Sequence, residues 1–142
     1  MPDQLAQAFE CFQRGDFATA KKLCQAMVKA NPSAAEAWHL YGVVEHQLGN
    51  NQQGVEHVRK AIKLKPDDPQ YHYNLGVLSN ELGNTEDTIA AYLETLRLNP
   101  NHPAAANNLG NCYRGQGAFG QALETYEVAV SMQFGYFLSA SA

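Results

Sequence analysis

The chain repeats itself every 34 residues, and that period constrains its fold more than any other feature. Gly15, Gly49, Gly83 and Gly117 stand at one phase. Pro32, Pro66 and Pro100 stand at another, with Phe134 in the fourth place. Leu75-Gly76 recurs as Leu109-Gly110, Gly42 shares that glycine phase, and Tyr92 recurs as Tyr126. A unit of this size buries its apolar faces by stacking on its neighbours. The 142 residues therefore read as one domain with no need of a single globular centre.

Each unit carries apolar residues at helical spacing. Leu5, Ala8, Phe9 and Phe12 mark a first helix that Gly15 closes, because glycine takes the left-handed conformation cheaply. Ala20, Leu23, Cys24, Met27 and Val28 mark a second helix that stops before Pro32. In the next unit Gly54 sits inside the second helix, at about 1 kcal/mol of helix propensity that a close helix contact would explain. Asp67-Asp68-Pro69 and Asn101-His102-Pro103 offer caps followed by a proline suited to a first turn. The last helix is expected to begin near Gly120 or Gln121, and after Met132 the pattern gives way to QFGYFLSASA.

This spacing resembles the tetratricopeptide repeat, a helix-turn-helix unit, over nearly the whole chain. The resemblance implies an all-α fold, a right-handed α-solenoid of about eight antiparallel helices. Its units would be 1–34, 35–68, 69–102 and 103–136, followed by a short tail at 137–142. Trp38, Tyr41 and Gly42 stand at the family's large-aromatic, apolar and small positions, and His72 replaces the tryptophan one unit later. Cys11 and Cys24 stand where the family has aromatic residues, which implies looser packing of the first unit.

Charge and composition narrow the class of partner. The net charge is −4 and no basic cluster is dense enough to grip phosphates, so nucleic acid is not expected. No stretch approaches membrane-spanning length, and no secretory leader is apparent at the start. Cys11, Cys24 and Cys112 lack ligand spacing and read as packing residues in a reducing compartment. A cytoplasmic protein is expected.

No catalytic constellation is visible, and neither enzymatic activity, a cofactor nor a metal is expected. His39 and His46 lie seven apart on one helix face, but no third ligand accompanies them. They read as groove-lining residues, His57 and His102 as exposed, and His72 as packed. Lys21, Lys22, Lys29, Arg59, Lys60, Lys63, Lys65 and Arg97 fall on the second helices and read as a solvated outer face.

In the resembled family the first helices line the concave surface, so binding is assigned there. The projected groove comprises Leu5, Phe9 and Phe12, then His39, Val43 and His46, then Tyr73, Asn74 and Val77, then Asn107, Asn108, Asn111 and Arg114. It runs from apolar at the N-terminal end to amide-rich at the C-terminal end. Asn74 and Asn108 sit in NLG one repeat apart. They resemble the asparagine ladder of O-linked N-acetylglucosamine transferases, whose amides hold an extended peptide by its backbone. An amide suits that task because it both donates and accepts. Ala6 and Leu40 occupy the equivalent places in the first two units, so half a ladder is present. A clamp for an acidic C-terminus, as in chaperone-binding members, is not expected: its first basic and amide positions hold Leu5 and Phe9, or His39 and Val43 one unit on.

The expected function is a protein–protein interaction scaffold that takes an extended peptide or a partner helix in its groove. Two alternatives are the targeting arm of a larger enzyme, such as a glycosyltransferase, and a self-associating module. The last rests on Phe134, Tyr136, Phe137 and Leu138, which predict a two-fold homodimer through the C-terminal end.

Overall fold

The structure, a computed structural model, describes residues 3–134. Among these residues there are eight helices: α1 (Gln4–Gln13), α2 (Phe17–Ala30), α3 (Ala35–Gln47), α4 (Asn51–Leu64), α5 (Pro69–Glu81), α6 (Thr85–Leu98), α7 (Pro103–Gly115) and α8 (Phe119–Phe134). Each packs on the helix before it and the helix after it, and α3 also touches α1 and α5. The first helices of successive pairs thus lie side by side.

The periodic glycines explain the sharp turns inside each pair. Gly15, Gly49, Gly83 and Gly117 have φ of 80°, 82°, 76° and 79°, the left-handed region that costs a side chain most. Other caps follow local chemistry. The Asp68 side chain accepts from the N–H of Gln70 at 3.0 Å. In the next unit it is His102, not Asn101, that caps: its Nδ1 accepts from the N–H of Ala105 at 3.1 Å. The last helix begins at Phe119, a residue or two before the expected start, within the usual raggedness of helix ends.

The core is a chain of small clusters between neighbouring pairs, as stacking requires. Gly42 and Gly54 are where α3 and α4 touch. A Cβ on Gly42 would stand 2.9 Å from the Gly54 carbonyl oxygen, and one on Gly54 would stand 3.0 Å from the Gly42 carbonyl oxygen. This is the close contact that the glycine inside α4 implied. Thr88 and Thr95 are fully buried, and each donates its hydroxyl to the carbonyl four residues back, at 2.8 Å. Cys11 and Cys24 are buried and unpaired, and burial pushes the Cys24 thiol up to about 12, which keeps it inert.

Neither of the two histidines expected from sequence to be exposed is exposed. His57 is half-buried and stacks on Tyr41 with ring centres 3.8 Å apart. His102 is half-buried against Tyr73 at 4.8 Å. An imidazole is as good a stacking partner as a base, and spacing alone does not distinguish the two. His72 and Trp38 share one device: each ring nitrogen meets the carbonyl of the repeat's proline, Pro66 and Pro32, at 2.8 Å. Nor are all the second-helix cations free in solvent. Lys21 reaches Glu45 at 3.1 Å, and Lys60 lies over the Trp38 ring at 4.2 Å.

Candidate functional site

The side-by-side first helices form the walls of a groove. At its N-terminal end is a trough of about 670 Å³. It is lined by α1 (Leu5, Ala6, Phe9, Phe12), α3 (Glu36, His39, Leu40, Val43), α5 (Gln70, Tyr71, Asn74) and the cap residues Asp3 and Asp68. Phe9 is 50% exposed there, although an aromatic ring of this size ordinarily seeks burial. A smaller hollow of about 320 Å³ follows toward the C-terminus. Val77, Asn80 and Glu81 of α5, Tyr92 of α6, and Asn108, Asn111 and Cys112 of α7 line it.

These two hollows gather most of the projected groove. Leu5, Phe9, Phe12, His39, Val43 and Asn74 meet in the first, and Val77, Asn108 and Asn111 in the second. Tyr73 lines neither; its ring tilts onto Tyr92 at 5.8 Å and packs between units. Asn107 lies instead with Pro103, Ala104, Tyr126, Ala129 and Val130 at the C-terminal end. His46 faces Glu81 of the next unit at 3.6 Å, so it shares no site with His39. Arg114 is exposed in the last turn of α7. Phe134 ends α8, and its side chain, with Tyr136, Phe137 and Leu138, lies outside the described residues.

The two asparagines are already engaged. The Asn108 amide donates to the hydroxyls of Tyr73 at 3.3 Å and Tyr92 at 3.4 Å, which leaves its carbonyl oxygen open. The Asn74 amide nitrogen meets His39 Nε2, and its oxygen accepts from Gln70 at 3.4 Å. One N–H and one lone pair of Asn74 remain. His39 is held neutral for this contact: burial, against the opposing pull of Asp68, lowers its pKa to about 4.

Sequence reasoning missed Tyr71, Asp3 and Asp68 as trough residues. Tyr71 stands at the phase of Ala37 and Ala105, and a large polar ring where its equivalents are alanines was the available signal. Among the described residues no group of three or more His, Cys, Asp or Glu could hold a metal ion. Nor is any helix among them long and apolar enough to cross a membrane.

The tetratricopeptide repeat family matches the chain at residues 5–69, 47–94 and 80–134. The chain is a tetratricopeptide repeat protein. No curated protein matches it in sequence. Among solved structures this tetratricopeptide repeat chain is similar to MamA: TM-score 0.90, 21% identity, 93% of this chain and 77% of that one. MamA from Desulfovibrio magneticus RS-1 is similar at TM-score 0.87 and 16% identity, over 94% and 76%. A mutant Thermobaculum terrenum O-GlcNAc transferase is similar at TM-score 0.73 and 29% identity, over 78% of this chain but only 21% of that protein. The fold is an α-solenoid, the family is one of protein-interaction scaffolds, and such scaffolds are typically non-enzymatic.

Proposed function

We propose that this scaffold binds an extended peptide or a partner helix in the groove along α1, α3, α5 and α7. The observation that carries this reading is Phe9, half in solvent within a trough lined by first-helix side chains and the cap residues before them. Apolar side chains left open in a concavity lose the burial that a partner would restore. Farther along, the open carbonyl of Asn108 and the spare N–H of Asn74 suit a peptide backbone, and the likeness to asparagine-ladder repeats supports that use.

Changing both Asn74 and Asn108 to Ala is expected to weaken peptide binding about fivefold to hundredfold, since each lost hydrogen bond is worth about 0.5–1.5 kcal/mol. Helicity should be nearly unchanged. Isothermal titration together with circular dichroism checks this. Lost helicity with undiminished binding would assign both amides to the array itself.

A second reading, self-association through the C-terminal end, has its own support on α8. Phe119, Leu123, Tyr126 and Val130 form one helical stripe, and Phe119 and Leu123 are 68% and 60% exposed. At the equivalent positions of α6, Ile89, Tyr92 and Leu96 pack with Ala105 and Leu109 of α7, while Thr85 is exposed. The N-terminal end differs. Asp3, Gln7 and Glu10 of that end stand at the phase where α3 buries Ala37, Tyr41 and Val44. A polar N-terminal face is a poor seat for an apolar stripe, so two C-terminal ends pairing about a two-fold axis fit better than a head-to-tail chain. Light scattering at high micromolar concentration should give twice the 15.6 kDa chain mass, and half that for Leu123→Asp or on removal of residues 134–142. A monomeric full chain refutes this reading.

A further inference from the structure

The N-terminal trough holds a polar group that its own fold leaves unserved. Tyr71 is only 3% exposed, and its hydroxyl is buried without a hydrogen-bond partner. Buried hydroxyls in proteins are nearly always paired, and this one belongs to a residue that lines the trough. The ring is fixed by stacking on His39, with centres 4.5 Å apart. Burial pushes the phenol up to about 12, and the negative charges of Asp68 and Glu36 push the same way.

Those carboxylates are only partly used. Asp68 spends one oxygen on the Gln70 N–H, and the other has Lys65 at 3.9 Å, a side chain half in solvent. Asp3 caps α1 through the Leu5 N–H at 3.0 Å. Glu36 is exposed in the first turn of α3 and has no ion-pair partner among the described residues. His39, the basic side chain among the trough's lining residues, is neutral near pH 7. The trough therefore combines an apolar floor with three carboxylates, Asp3, Glu36 and Asp68, and no cation stands among its lining residues.

We propose that this trough selects a peptide in which an apolar residue lies close to a lysine or arginine. The apolar side chain packs on Leu5, Phe9, Phe12 and Val43, and the cation donates to Glu36, Asp68 and the Tyr71 hydroxyl. The proposal rests on the reading that the groove binds peptides, and names the class of peptide. Residues two apart project to the same side of an extended chain, so a Leu-Ser-Lys core presents both groups together. Charge-assisted hydrogen bonds are the stronger kind, and at an exposed carboxylate such as Glu36 they weaken as salt rises.

Fluorescence anisotropy of the full chain with a labelled, terminally blocked peptide Gly-Ser-Leu-Ser-Lys-Ser-Gly tests the proposal. Two analogues serve as comparisons, one with Glu for Lys and one with Gly for Leu. The lysine peptide should bind at least tenfold more tightly than either, and less tightly as salt rises. Glu36→Gln with Asp68→Asn should reduce the lysine-over-glutamate preference to about threefold or less. The fold should survive, because Asn also caps helices well. Tyr71→Phe should lower the preference without loss of melting temperature, since it removes an unpaired group. Equal binding of the lysine and glutamate peptides overturns the proposal and leaves the groove reading standing. Equal binding of the leucine and glycine peptides overturns the apolar half. If no peptide binds up to millimolar concentration, the groove reading fails and takes the proposal with it.

Discussion

Gly42→Ala is expected to lower the unfolding free energy by about 3 kcal/mol. For a chain of this length the melting temperature should fall by about 10 °C. The added Cβ would stand 2.5 Å from Val58 Cγ2 and 2.9 Å from the Gly54 carbonyl oxygen. Val58 is fully buried and the carbonyl belongs to the α4 backbone, so neither can rotate away. The two helices must separate, and the contacts on both sides loosen with them. At Gly76 and Gly110 the obstacle is a ring instead, Tyr92 at 2.5 Å and Tyr126 at 2.6 Å. Gly115 is the contrast: it ends α7 with nothing within 4 Å, so Gly115→Ala should stabilise by up to about 1 kcal/mol. Thermal unfolding of both variants checks the packing. A Gly42→Ala protein that melts with the parent would show that α3 and α4 are farther apart than described.

The second large effect concerns a buried carboxylate. Glu45 of α3 is 2% exposed, with Lys21 Nζ at 3.1 Å, Asn50 Nδ2 at 3.2 Å and His57 Nε2 at 3.8 Å. Burial holds the His57 pKa below its ordinary value, so near pH 7 this imidazole is mostly uncharged. Lys21 is the charge that balances Glu45. Lys21→Met should destabilise the chain by about 2–3 kcal/mol. The figure is below that for a wholly buried pair because Lys21 is 31% exposed, and water shares its role. Lys21→Met combined with Glu45→Leu should recover most of the loss, since an apolar pair of similar size needs no balancing charge. Urea unfolding of the two single variants and the double variant closes the cycle. If Lys21→Met costs less than about 0.5 kcal/mol, the carboxylate does not depend on the lysine.

The two effects differ in how legible they were. Gly42 belongs to the 34-residue pattern, and a small residue repeated at one phase marks a helix contact by its spacing alone. The turn glycines were legible for the same reason. Glu45 was not, because it stands where Cys11, Ser79 and Tyr113 stand in the other units, and its partner lies 24 residues away on another helix. Periodicity reports what the units share and is silent about what one unit does alone. The candidate site shows the same division. Leu5, Phe9, Phe12, His39 and Val43 follow from projecting the resembled family's lining positions onto the repeat, and they meet in one trough. That Tyr73 turns inward, that its hydroxyl and that of Tyr92 already take the Asn108 amide, and that Tyr71 ends unpaired depend on side-chain packing across units. His102 misled once, reading as exposed while it stacks on Tyr73; that it caps α7 lay within the cap pair the sequence offered.

The central claim is that the first-helix face is the binding surface. Nuclear magnetic resonance of the isotope-labelled full chain, titrated with the Leu-Ser-Lys peptide, tests it most directly. The largest shifts are expected at Leu5, Phe9, His39, Val43 and Tyr71, with amides of α2, α4, α6 and α8 nearly still. Shifts concentrated on those second helices, with the trough residues unmoved, would contradict it.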